Sequence, residues 1–340
     1  MRAYRMTSWG DEPRVVEVPI PEPGPGQVLI RVAGCGLCHS DFTMRRMPEP
    51  AGRALGWAMP YTMGHETAGW IASPAHGFTI GDPVALVSPN SCGRCDFCRK
   101  ARDNCCPAGV LGRGYGRDGG LAEYVLVDDP RALLPLGDLD PRTAGPLTDA
   151  GATAYHAVRR ALPRLLSGGA AAVIGTGGLG SFALQFLLLA ESVSVVAVDT
   201  NPQALNRATD LGVHERLSSI DKLAQRSQDV VLDFVGTDET IAAGVAAVRP
   251  GGSYGLIGAA GGRLNKPWFH ALPRDGEIFT FQGGTIADAR DVIALAAQGR
   301  IRNDVTIFPL TQIEEAYTLL ASAALPTRAI IDPTTTQPPT

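Results

Sequence analysis

The stretch AAAVIGTGGLGSFALQFLLLA, Ala170 to Ala190, decides the fold. Its first residues form a short apolar run that reads as a buried parallel strand, and SFALQFLLLA reads as a helix. Between them stands Gly175-Thr-Gly177-Gly178-Leu179-Gly180. With 40 glycines in 340 residues, a G-x-G-x-x-G match means little alone. Here it follows a strand and opens a helix, and Asp199 closes the next apolar run, VSVVAVD. The glycines permit a tight turn and close backbone approach, so a pyrophosphate can sit at the helix N-terminus. Asp199 would accept hydrogen bonds from an adenosine ribose and repel a 2′-phosphate. Thr200 to Ala204 carry no cation, and Arg207 lies a helical turn further on, where it reads as solvated. NAD is expected over NADP. A merely Gly-rich strand-to-helix turn is the competing reading, and the context weighs against it.

Working outward, NPQALNRATDLG reads as a second helix, and DVVLDFVG, GSYGLIGA and IFTFQGG as further strands. Strand, helix, strand at this spacing makes an α/β unit with a doubly wound parallel sheet. From Met1 to about Leu147 the texture differs. VVEVPI, GQVLIRVAG, GDPVALVSP and LAEYVLVD are short strands punctuated by Gly and Pro, which suits a β-rich, barrel-like domain. After the central unit, ADARDVIALAAQGR and TQIEEAYTLLASA read as helices and VTIFPL and RAIIDP as strands that return to the first domain. The expected division is 1–149, 150–284 and a return segment 285–340, with the tail PTTTQPPT frayed.

Composition excludes several classes. Thirty Lys and Arg against 34 Asp and Glu give a net charge of −4, with no basic stripe for nucleic acid. Hydrophobic content of 45% argues against disorder. The longest apolar run, Phe182 to Ala190, is far short of the ~20 residues of a membrane span. MRAYRMTSW lacks the apolar core of a signal peptide, so a soluble, cytoplasmic protein without membrane partners is expected.

Five of the seven cysteines crowd into Cys92 to Cys106. Cys92, Cys95, Cys98 and Cys106 are spaced to close a tetrahedral shell of structural zinc, with Cys105 as a spare. An iron–sulfur cluster or unliganded thiols remain alternatives, although a ferredoxin pattern needs three residues before its last Cys. Two looser motifs are GLCHSD (Gly36 to Asp41) and GHE (Gly64 to Glu66). A Cys and a His this far apart usually mark core packing. Beside a dinucleotide fold they gain interest, because zinc with an open position polarises an alcohol oxygen for hydride transfer.

GLCHSD, GHE, the four-cysteine lobe, GTGGLG and VAVD occur together in the order and spacing of one family. The chain resembles the zinc-dependent medium-chain alcohol dehydrogenases over essentially its full length. The resemblance implies a GroES-like catalytic domain with a Rossmann domain, and NAD(P)-linked oxidation of an alcohol or reduction of a carbonyl. By resemblance, Cys38 and His65 are ligands of catalytic zinc and Ser40 takes the substrate proton. Asp41 orients the ligand His, and Glu66 approaches zinc during ligand exchange. His39 is implied to contact the cofactor pyrophosphate and Thr153 the nicotinamide, with Val235 and Ile257 as further cofactor contacts. The family's third ligand is often Cys, yet PLTDAGATAYHA has none; Asp149 stands there, as in a bacterial branch with secondary-alcohol activity. An N-cap role for Asp149 is the alternative. Many members carry a His three residues after the Ser, where this chain has Thr43.

The resemblance thus implies two Zn²⁺ and NAD per chain, a small alcohol or carbonyl substrate, and a homodimer or homotetramer. A secondary, apolar alcohol is the expected substrate. The alternatives are a primary allylic or aryl alcohol dehydrogenase, or a relative that binds NAD and zinc without catalysis. Cys35 reads as core, and His76, His156, His214 and His270 lack ligand spacing. Trp57, Tyr61, Phe42 and Phe281 either line an apolar pocket or simply pack.

Overall fold

The computed structural model describes residues 1–87, 89–165, 168–190, 192–325 and 327–335. The end of the tail and the His270 side chain lie outside the described residues. The chain forms two compact units, Met1–Ala152 with Gly284–Thr340, and Thr153–Gly283. Among the described residues no helix is long and apolar enough to cross a membrane.

The second unit is built on β1 (Ala170–Ile174), β2 (Ser194–Val198), β3 (Glu215–Leu217), β4 (Gln228–Asp233), β5 (Val248–Leu256) and β6 (Glu277–Thr280). All pair in parallel, in the order β3-β2-β1-β4-β5-β6. This is the doubly wound Rossmann order, whose ligand crevice opens where the order reverses, beside β1 and β4. Strands covered on both faces read as apolar runs, and every residue of β4 is buried around its apolar centre, Val230 to Leu232. Ala172, Ile174, Val196, Val198, Val231 and Tyr254 share one core with Ile241 and Val245 of the helix Asp238–Ala247. The edge strand β3 shows no inward face, with Glu215 and Arg216 exposed, so it leaves no alternation in the sequence.

In the first unit the central strand is Val28–Gly36. Glu66–Ile71 runs antiparallel on one side and Arg328–Asp332 antiparallel on the other. Register brings Gly36 opposite both Glu66 and Ile330. Three neighbouring strands therefore begin or end at one place, and that place carries Cys38, His65 with Glu66, and Arg328. Gly36 is required there, because a Cβ would run into the Glu66 carboxylate. Gly64, at φ +97°, turns the chain into His65. Arg328–Asp332 pairs in parallel with Val305–Pro309, and the helix Ile313–Ala321 connects them. The GroES-like α/β architecture is thus completed by the C-terminal segment.

Candidate active site

Cys38 follows the central strand, and the short helix Ser40–Arg45 follows Cys38. Asp41 points inward and is fully buried. Its Oδ2 accepts hydrogen bonds from the Cys38 backbone N–H and the Tyr317 hydroxyl, each at 3.0 Å. Its Oδ1 lies 3.2 Å from His65 Nδ1, an ion-pair contact out of line for a hydrogen bond. On the other side of the ring, His65 Nε2 lies 3.4 Å from Asp149 Oδ2 and 3.3 Å from Ser40 Oγ. Ligand atoms of Cys38, His65, Glu66 and Asp149 all fall within 4.8 Å of one another.

Burial works against the charged form of each group, so its neighbours decide the outcome. Burial raises the Cys38 thiol, but Arg328 and His65 outweigh it and hold the thiol below its usual range. Burial lowers His65, yet Asp41, Asp149 and Cys38 carry it well above the ordinary histidine value. Asp149 is held down against burial by His65 and Arg328. Glu66 is pushed up to about 8 by burial and by Asp149 and Cys38, against the opposing pull of Arg328. A thiol, an imidazole and carboxylates converging on one point, with anionic forms outnumbering local cations, fit a divalent cation such as zinc.

The cysteine lobe has its own geometry. A tetrahedral shell with Zn–S of ~2.3 Å sets sulfurs ~3.8 Å apart. The Cys95–Cys98, Cys95–Cys106 and Cys92–Cys98 sulfurs lie 3.5, 3.9 and 4.0 Å apart. Backbone N–H groups of Arg94 and Cys95 hold the exposed Cys92 thiol down at about 6. Cys105 is exposed and turns to Asn104 and Arg102 instead. The lobe is anchored through Asp103, whose Oδ2 accepts the Ile286 N–H at 2.8 Å.

In the second unit, the glycine turn joins β1 to the helix Gly178–Leu188. Gly175 has φ +79°, and a Cβ at Gly180 would strike the Gly175 carbonyl. A Cβ at Gly177, by contrast, would meet nothing within 4 Å, which leaves open backbone for a phosphate. Asp199 is fixed over this turn: Oδ2 accepts from the Thr176 N–H at 2.7 Å and Oδ1 from the Asn201 N–H at 2.8 Å. Ile257 directly follows β5 and Val235 stands two residues beyond β4, where it packs against the Gly175 turn. Thr153 is buried in the helix Ala150–Ala161, while His39 is exposed, edge-on to Phe42. Arg207 corrects an expectation. It is half-buried, its cation weakened by burial and supported by Asp199, because its helix Pro202–Asp210 packs back on β2.

Comparison with known proteins settles the lineage. Residues 24–138 match the alcohol dehydrogenase GroES-like domain and residues 178–298 the zinc-binding dehydrogenase domain. D-arabinose 1-dehydrogenase (NADP(+)) of Saccharolobus solfataricus is 30% identical over 98% of this chain and 97% of its own. An NAD-dependent alcohol dehydrogenase of Sulfurisphaera tokodaii is 32% identical over 93% of this chain and 94% of its own. The alcohol dehydrogenase of Aeropyrum pernix superposes with a TM-score of 0.90 at 29% identity, over 98% of this chain and 100% of that one. The chain belongs to the zinc-type medium-chain alcohol dehydrogenase family. It is an oxidoreductase.

In this dehydrogenase, three residues near the site escaped the sequence reading. The Arg328 side chain is 8% exposed and forms two hydrogen bonds to Glu66, one through Nε at 2.9 Å. Tyr317 reaches Asp41 from the return segment. Tyr115 stands edge-on to His65, ring centres 6.3 Å apart, and Trp57 lies 6.3 Å from Tyr115. An Arg opening an apolar strand was the one visible signal; a Tyr in a helix and another between glycines give none. Of the aromatic candidates, Tyr61 and Phe42 pack in the core with Tyr317, and Phe281 meets His156 edge-on in the second unit.

Proposed function

We propose that this protein is a zinc-dependent NAD(H) alcohol dehydrogenase and carbonyl reductase, acting on apolar secondary alcohols and their ketones. The observation that carries this reading is the convergence of Cys38, His65 and Asp149, with Ser40 Oγ 3.3 Å from the same imidazole nitrogen. Cys38, His65 and Asp149 would hold the metal on three sides and leave a fourth open, as catalytic zinc requires. When bound, zinc supplies the Lewis acidity that lowers an alcohol's pKa, and NAD supplies the hydride acceptor. Ser40 is placed to take the hydroxyl proton, and with Thr43 in place of a second relay group that proton leaves through solvent. Asp41 orients the His65 ring. Glu66, paired with Arg328, is held beside the ligands without leading their set.

Gly177, the helix N-terminus after it and Asp199 would hold NAD, with His39, Thr153, Val235 and Ile257 as further contacts. The fixed Asp199 carboxylate favours NAD over NADP, although relatives use either. Trp57 spends its indole N–H on the Val110 carbonyl and packs against Tyr115, which stands edge-on to His65. These rings support an apolar substrate, and Asp149 in the ligand set supports the carboxylate-ligand branch. The rings also favour, as a second reading, a primary aryl or allylic alcohol. Four thiols at tetrahedral spacing support a second, structural zinc. The test is a panel of aliphatic secondary, aryl-secondary, benzylic, allylic and sugar alcohols with NAD⁺ or NADP⁺, followed by nicotinamide absorbance. Turnover confined to sugars would overturn the substrate class, and equal use of NADP⁺ would overturn the reading of Asp199. A homodimer or homotetramer is expected by light scattering.

A further inference from the structure

Tyr317 lies on the helix Ile313–Ala321, far in sequence from every ligand candidate, yet its hydroxyl ends at the centre of the ligand support. Asp41 has two oxygens and two tasks. Oδ1 faces His65 Nδ1, and Oδ2 holds the backbone N–H of Cys38. One carboxylate therefore sets two ligands relative to each other, and its orientation matters to both. The Tyr317 hydroxyl donates to Oδ2 at 3.0 Å and thereby fixes the rotation of that carboxylate.

The tyrosine ring is in turn held on several sides. Tyr317 is 2% exposed. The Arg45 guanidinium sits over its ring, 3.8 Å from the centre, Phe42 meets it edge-on at 5.7 Å, and Tyr4 stacks on it at 6.1 Å. Arg45 is tethered by a hydrogen bond to the Tyr4 hydroxyl, which itself donates to Glu314 on the tyrosine's own helix. So rigid a mount is more than packing of one phenol demands. We propose that Tyr317 is a positioning residue of the catalytic metal centre, acting through Asp41 to hold Cys38 and His65 in ligand geometry. This rests on the proposed metal centre, and it assigns a role in that centre to the return segment.

Tyr317→Phe keeps the ring, its cation partner and both aromatic neighbours, and removes one donor. In the full zinc-loaded protein, chelator-driven release from the catalytic site should accelerate about tenfold or more, the usual range for losing an outer-shell partner. Release from the cysteine lobe should not change. With cobalt in the catalytic site, the visible absorption bands should shift. Tyr254→Phe, equally buried but with its hydroxyl on Asp233 of the second unit, should release metal at the wild-type rate. In an Asp41→Asn background, Tyr317→Phe should add little, because the two act in series. Should Tyr317→Phe fail to fold, Arg45→Met carries the test, with faster release from the catalytic site alone. Wild-type release and an unchanged cobalt spectrum in Tyr317→Phe, an equal effect of Tyr254→Phe, or full additivity with Asp41→Asn would each overturn the proposal. A wild type holding no chelatable metal here would instead overturn the metal reading, and this inference with it.

Discussion

Asp149 is the candidate that a search for cysteine and histidine passes over, since carboxylates are common and rarely metal ligands. Its Oδ2 faces the same nitrogen of His65 as Ser40 does, which supports the proposed ligand role over a helix cap. Asp149→Ala should lose one zinc and nearly all turnover, while Asp149→Cys should keep metal and some activity. A residue that only capped its helix would cost ~1 kcal/mol on truncation and leave the metal content alone. Metal analysis of Asp149→Asn separates the two further, because Asn caps well and binds zinc poorly; a zinc-replete, active variant would refute ligation. Arg328 raises a different issue, that of a buried charge. It neutralises a fully buried Glu66, so Arg328→Met should destabilise the protein by about 3–5 kcal/mol in denaturant titration. Arg328→Met with Glu66→Leu should recover most of that loss, as apolar replacements of buried pairs generally do. A double variant no more stable than the single one would show that the pair is not the source.

At the scale of elements, the turn between β1 and its helix contains glycines doing different jobs. Gly180 lets the helix pack on the turn, and Gly177 keeps the backbone bare. Gly180→Ala should therefore cost about 1–3 kcal/mol of stability, as a Cβ is forced against a carbonyl that cannot move far. Gly177→Ala should unfold like the wild type and bind NADH about tenfold more weakly, as fluorescence titration would read. Equal effects on stability would refute the division of labour. This turn was fully legible in the sequence because its strand, helix and Asp199 are local. Strand β3 and the helix Asp238–Ala247 were not. The first is an exposed edge without alternation, and the second, DETIAAGVAA, carries a small-residue face instead of a large apolar one. Cofactor preference also belongs to this scale. Asp199→Gly with Thr200→Arg should shift the kcat/KM ratio toward NADP⁺, helped by the half-buried Arg207 whose charge Asp199 supports.

For the whole molecule, the segments that make a unit are not contiguous in sequence. Cys38 and His65 were readable because each sits in a local motif, and Asp149 only because the family resemblance marks its segment. Tyr317 and Arg328 were not, since nothing local to TQIEEAYTLL or RAIID says that the strand Arg328–Asp332 will lie beside Val28–Gly36. Long-range register created those contacts. The two proposed metal centres and the nucleotide turn draw on three sets of residues that share no member. Removal of metal should then proceed in steps. A chelator such as dipicolinate should first strip the site of Cys38, His65 and Asp149, which leaves one coordination position open, and abolish turnover. NADH binding should persist, because Gly175 to Gly180 and Asp199 owe nothing to that metal. The lobe, with four thiolates and no open position, should keep its zinc until a mercurial reagent attacks the sulfurs, and its loss should lower the Tm because that metal is part of the fold. Zinc content, turnover, NADH fluorescence and thermal unfolding followed along one chelation series test each step. Iron in the freshly purified protein, a single equivalent of zinc, or release of both equivalents at one rate would contradict the assignment of two unlike sites.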